Sequence, residues 1–159
     1  MKKILSISSV FAIIAGIILI ISGAWGLYFT YQNVSRENIV TPEDASIPGK
    51  KVRGPLTLKS QADIIRHHTF KTTNEKTYSE MPRQIEKLDE KGQVVIGVDG
   101  KPLMITNTAR DMWIAATTLT TALHLGIVTY VFSGIVFLLG LISVWTGIVF
   151  CLLSKKYTQ

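Results

Sequence analysis

Hydrophobic positions along this chain fall into two long blocks with a mixed, polar stretch between them. The first block runs from Ile4 to Phe29 and the second from Trp113 to Leu153, and neither contains Lys, Arg, Asp or Glu. Roughly 20 apolar residues span a bilayer core as a helix, so both blocks qualify as transmembrane segments. The predicted fold class is a membrane protein: two antiparallel transmembrane helices with a small α+β extracytoplasmic domain inserted between them. The expected boundaries are 1–3 for a cytoplasmic N-terminus, 4–29 for the first span and 30–108 for the extracytoplasmic domain. The upper part of a long helix then takes 109–131, the second span 132–153 and a cytoplasmic C-terminus 154–159.

The second block is too long for one crossing, because its 41 residues (113 to 153) make a helix of roughly 60 Å. A hairpin of two short spans would need a turn, and the block holds no Pro, Asn or Asp. One continuous helix is therefore expected, standing above the membrane before it enters. Its upper part is amphipathic without charge. Met112, Ala116, Leu119, Leu123 and Gly126 oppose Thr117, Thr118, Thr120 and Thr121. Thr108 with Asp111 three residues on reads as a capping box that starts it.

The two blocks share a spacing. Ser9, Gly16 and Gly23 fall seven apart, as do Ser133, Gly140 and Gly147. Antiparallel pairing sets Ser9 by Gly147, Gly16 by Gly140 and Gly23 by Ser133. Small residues let helix backbones approach closely in lipid, and a seven-residue seam suits a left-handed crossing.

Charge sets the expected orientation. The chain carries 17 Lys/Arg and 11 Asp/Glu. Lys2, Lys3, Lys155 and Lys156 flank the two spans with no acid beside them, and the positive-inside tendency places such ends in the cytoplasm. Four of the six net positive units are thus a topology signal. No Lys/Arg cluster with interleaved aromatics is present, so nucleic acid is not an expected partner. Ser22-Gly23-Ala24 resembles a signal cleavage site, but the apolar run exceeds the usual signal core, so a retained anchor is expected. Trp25, Tyr28 and Tyr31 form an aromatic belt where the first span would leave the membrane. The single cysteine, Cys151, leaves the central domain without an internal disulfide.

Within the middle segment, Ser60 with Asp63 reads as a capping box opening a helix to about Lys71, and a second short helix is expected over Tyr78–Lys87. Val94–Val98, Asp99-Gly100 and Lys101–Ile105 read as a hairpin with a type I′ turn, Pro102 limiting one strand to an edge. Residues 36–59 are expected to wrap the surface. So few large apolar residues make this unit marginal by itself, and it is expected to pack on the upper helix or on a partner.

Candidate chemistry is sparse. His67 and His68 are adjacent and diverge by about 100° on a helix. A two-His-one-carboxylate iron site would have to draw on His68, His124 and Asp63 or Asp111. Polar side chains at the surface or an interface account for the three histidines more simply, and no catalytic, metal or cofactor residue is assigned. Ser60 lacks a nucleophile elbow, no glycine-rich phosphate loop occurs, and Asn33-Val-Ser35 matches a glycosylation acceptor. The ridge of Trp113, Leu119 and Leu123 is the candidate partner surface, covered in part by the hairpin and in part by another protein.

Three stretches between the spans carry a resemblance: Gly49–Leu56 (GKKVRGPL), Gln61–His68 (QADIIRHH) and Lys76–Met81 (KTYSEM). Over most of residues 35–150 the chain resembles a family of small two-span actinobacterial membrane proteins that often carry the automatic name aromatic ring-opening dioxygenase. Such a name implies a non-haem iron enzyme. The architecture also resembles accessory subunits around the actinobacterial cytochrome bcc–aa3 respiratory supercomplex. The expected function is a non-catalytic accessory subunit whose partners are larger integral membrane proteins and membrane lipids. The alternatives are a standalone envelope protein that binds a lipid or small ligand, and the dioxygenase of the family name.

Overall fold

The computed structural model describes residues 2–156, which form three helices and a small β unit. Helix α1 spans Lys2–Arg36, α2 spans Pro55–Thr72 and α3 spans Thr108–Lys156. Strands β1 (Gln84–Glu86) and β2 (Met104–Thr106) form a two-stranded antiparallel sheet between α2 and α3 in the chain. Helices α1 and α3 are both long and apolar enough to cross a bilayer. Met1 and residues 157–159, at the two expected termini, lie outside the described residues.

α3 is continuous over 49 residues, roughly 73 Å at 1.5 Å per residue. Nothing in it breaks the ladder. Its threonines return their hydroxyls to carbonyls one turn back, as Thr118 does to Ile114 and Thr129 to Leu125. The cap differs from expectation by one residue. Asn107 Oδ1 accepts from Ala109 N at 3.1 Å, so Asn107 and not Thr108 is the N-cap.

α2 begins five residues before Ser60. Pro55 supplies the first position, where its missing N–H costs nothing, and Thr57 Oγ1 accepts from Gly54 N at 3.2 Å. Ser60 is instead buried. Its Oγ accepts from Ile47 N at 3.0 Å and bonds Ser46 Oγ at 2.9 Å, tying the 41–50 loop to the helix. α2 ends in a Schellman arrangement: Glu75 N donates to Phe70 O and Asn74 N to Lys71 O. Asn74 and Glu75 both take positive φ there, 52° and 59°.

The core is small and sits where α2 packs on α3, beside the end of α1. Val52, Leu58, Ala62 and Leu123 are buried together, with Val34, Ile39, Ile65, Ile127 and Tyr130 packed around them. Tyr130 Oη donates to Arg53 O at 2.5 Å and pins the entry to α2 on α3.

The expected helix over Tyr78–Lys87 shrinks to a 3-10 turn at Tyr78–Glu80. Pro82 is the reason: it pushes Met81 to φ −93°, ψ 135°, and the chain becomes extended. The hairpin also differs. Residues 94–98 do meet 101–103 as expected, with Ile96 bridging Pro102 and Gly97 N donating to Lys101 O, but β2 itself pairs with β1, and Leu88 bridges Val94. Three segments eight residues apart close a ring: Lys87 N donates to Leu103 O, Leu103 N to Val95 O, and Val95 N to Lys87 O. Both inner loops have the same form. Gly92 N donates to Asp89 O and Gly100 N to Gly97 O, with positive φ at Gly92 and Gly100 but not at Asp99. Type I′ needs positive φ at both central residues, so these are type I turns followed by a left-handed glycine.

Candidate functional site

α1 and α3 meet along a column of small residues. The buried residues of α1 are Ser9, Gly16, Gly23 and Thr30. Those of the facing part of α3 include Ser133, Gly140, Gly147 and Ser154. Ser9 Oγ donates to Gly147 O at 2.7 Å, and Ser143 Oγ donates to Ala12 O at 2.8 Å. A Cβ on Gly16 would lie 2.7 Å from Gly140 O, and one on Gly140 would lie 2.8 Å from Gly16 O. A Cβ on Gly147 would come within 2.9 Å of Ser9 O. These separations leave room for hydrogen and nothing larger. Higher up, the partners slide by about a turn. Gly23 lies against Phe137, 2.6 Å from its N to a Cβ position, and Ser133 Oγ lies against Gly26.

Of the ridge on upper α3, the structure covers two residues with the chain itself. Trp113 is buried because its Nε1 donates to Lys76 O at 2.7 Å and lies 2.9 Å from Thr73 Oγ1, while the Arg66 guanidinium stands 5.8 Å from the ring. Leu123 is buried beneath Val52, Leu58 and Ala62. Leu119 stays 55% exposed, so of the three it alone is open to a partner. The cover comes from α2 and the segment after it, not from the hairpin. Chain distance hid this: Thr73 and Trp113 are forty residues apart.

The β unit is tied to the start of α3 but buries little. Asn107 Nδ2 donates to Pro82 O at 3.0 Å, Arg110 Nη1 donates to Met81 O at 2.5 Å, and the Arg110 guanidinium stacks 3.9 Å from the Tyr78 ring. All six strand residues are exposed. Leu88 and Ile96 are more than half exposed and Val98, at a turn tip, is fully so.

The titratable residues are dispersed. His68 Nε2 lies 2.6 Å from Asp44 Oδ2. That hydrogen bond is the main influence holding the Asp44 carboxyl below its ordinary range, with desolvation opposing it and the His68 and His67 charges adding to it. Glu80 is likewise held low by the Thr77 backbone N–H and hydroxyl that donate to it. Asp63 pairs with Lys59 at 2.5 Å. His124 faces outward. Among the described residues, no group of three or more His, Cys, Asp or Glu stands close enough to hold a metal ion. His68, His124, Asp63 and Asp111 are not brought together. Asn33, in the glycosylation pattern, is inside α1 and its Nδ2 donates to Phe29 O at 2.8 Å.

One concave feature escaped sequence reasoning. A groove of about 370 Å³ opens where α1, α2 and α3 diverge above the seam, floored by Leu58, Leu123 and Gly126 and edged by Phe29, Asn33 and Glu37. Its walls come from three separate parts of the chain, so no local pattern marks it. Comparison with protein-family models, with curated proteins and with solved structures returns no match.

Proposed function

We propose that this chain is a two-span integral membrane protein that works as a non-catalytic accessory subunit of a larger membrane complex. In this reading both termini are cytoplasmic and residues 30–108 with upper α3 stand outside. Two facts support insertion. Only 11% of the most apolar window of each long helix is buried within the chain, so most of that surface needs another apolar medium. Lys pairs flank both windows.

The observation that carries the accessory role is the apolar surface of the β unit. Lipid would cover α1 and α3, but the unit joins the far end of α3, twenty-five residues beyond the proposed span (residue 107 to residue 132). Leu88, Ile96, Val98 and Leu103 are exposed there, and exposed apolar side chains that lipid does not cover suit a protein interface. Recognition within the bilayer would then add shape and polar contacts along the outer faces of the two helices.

The first-choice complex is the actinobacterial bcc–aa3 respiratory supercomplex, on the strength of an architecture, two spans with a small outer domain, that resembles its accessory subunits. The test is native solubilisation in digitonin followed by size separation and identification of what travels with the chain. Co-migration with oxidase subunits is expected, and Val98→Asp with Ile96→Asp should release the chain while its own fold persists. Migration as a free monomer from native membranes would overturn the accessory role.

A further inference from the structure

The groove above the seam lies beyond that reading, and its wall chemistry selects an occupant. Its polar side chains have turned their donors onto their own helices. Thr30 Oγ1 donates to Gly26 O, Thr129 Oγ1 to Leu125 O and Asn33 Nδ2 to Phe29 O, each at 2.8 Å. What remains toward the groove is mostly hydrocarbon, with Leu58 and Leu123 at its floor. A single ionisable group edges it. Glu37 sits on the rim, and its carboxylate forms no hydrogen bond or ion pair with a described residue.

Size narrows the occupant further. A volume of about 370 Å³ would hold less than one turn of a helix roughly 10 Å across. It holds roughly a dozen groups the size of a water or a methylene, each near 30 Å³. That matches one extended hydrocarbon chain. At its lower end the groove meets exposed apolar surface on α3, where Leu125, Val128 and Phe132 follow one another on one face.

We propose that the groove holds one acyl chain of a membrane phospholipid with an ethanolamine head, its ammonium at Glu37 and its second chain along Leu125, Val128 and Phe132. The ammonium has N–H donors for the unpaired carboxylate, which a choline head lacks and a glycerol head offers without charge. The inference rests on the membrane placement proposed above and not on the identity of any protein partner.

The experiment uses the full chain in nanodiscs containing phosphatidylethanolamine with a photoactivatable diazirine in one acyl chain, with adducts mapped by mass spectrometry. Adducts are expected on α2, at Leu58 or Ile65, as well as within residues 4–29 and 132–153. α2 makes no bilayer crossing in this reading, so only a chain drawn into the groove reaches it. The matching phosphatidylglycerol probe should label α2 about tenfold less, the effect of one charge-assisted hydrogen bond, and Glu37→Gln should erase that difference. Ala122→Trp should fill the groove and remove the α2 adducts while leaving those on the spans. Should that variant not fold, Leu119→Trp replaces it, at a position already 55% exposed. Adducts confined to the spans would overturn the groove site and leave the membrane placement standing. Equal α2 labelling by both lipids, or α2 adducts that survive both tryptophan variants, would overturn the proposal. No adduct at all would overturn the placement and the proposal together.

Discussion

At Gly140 a single hydrogen atom decides whether α1 and α3 touch. A Cβ there would stand 2.7 Å from Ile20 N and 2.8 Å from Gly16 O, both backbone atoms that cannot rotate away. Gly140→Leu should therefore cost about 1–3 kcal/mol, the usual range for overpacking. Leu138→Ala, at a position 58% exposed, should stay within about 0.5 kcal/mol. Unfolding in lipid by steric trapping reads both, and equal effects would remove close packing from the account. A second residue-scale expectation concerns Asp44. Its folded pKa lies below 3.8 because of His68. A depressed carboxyl pKa stabilises the fold above the unfolded value and loses that contribution as pH falls through the folded value. The link between the 41–50 loop and α2 should thus be intact near neutrality and weaken below about pH 4. Following the Asp44 carboxyl by NMR, His68→Gln should move its titration up toward 3.8, and an unchanged midpoint would contradict the pairing. The pair is exposed on both sides, so its weight in global stability is small.

At the scale of elements, local signals and tertiary signals separate cleanly. α1 and α3 were legible because their apolar runs are long and uninterrupted. The β unit was legible in part: the turn at Gly100 and the meeting of 94–98 with 101–103 could be read, but the pairing of β1 with β2 depended on a ring of contacts across Lys87, Val95 and Leu103. No local pattern announces a three-way closure. Asn107 joins the two kinds of element, because its Oδ1 caps α3 while its Nδ2 holds Pro82. Asn107→Ala should cost about 1 kcal/mol as a lost cap. It should also raise amide exchange across residues 83–106 more than across α2, since the β unit has no buried strand residue to hold it. Exchange rising equally in both would show that the β unit and α2 open together.

For the molecule as a whole, a two-helix stalk carries a small, thinly cored cap. Under the proposed placement, Val98 and Thr158 lie on opposite sides of the membrane. With Cys151→Ser as background, Val98→Cys should react with an impermeant thiol reagent in intact cells and Thr158→Cys only after lysis. The reverse pattern would invert the topology. Val98 suits this test because it is fully exposed, whereas Ser60 is 2% exposed and inaccessible.

The sequence by itself determined which residues can live in lipid and which cannot, since that depends on composition over some twenty consecutive residues. It also determined which face of each long helix can admit another backbone, because seven-residue spacing places Ser9, Gly16 and Gly23 on one stripe whatever the neighbour. The tertiary structure decided what meets each stripe. It buried Trp113 under Thr73 and Lys76, buried Leu123 under α2, set His68 on Asp44 while leaving His124, Asp63 and Asp111 apart from them, and opened the groove beside Glu37. Those outcomes turn on contacts between residues many positions apart, and such contacts are set by how helices cross in space and not by any spacing along the chain.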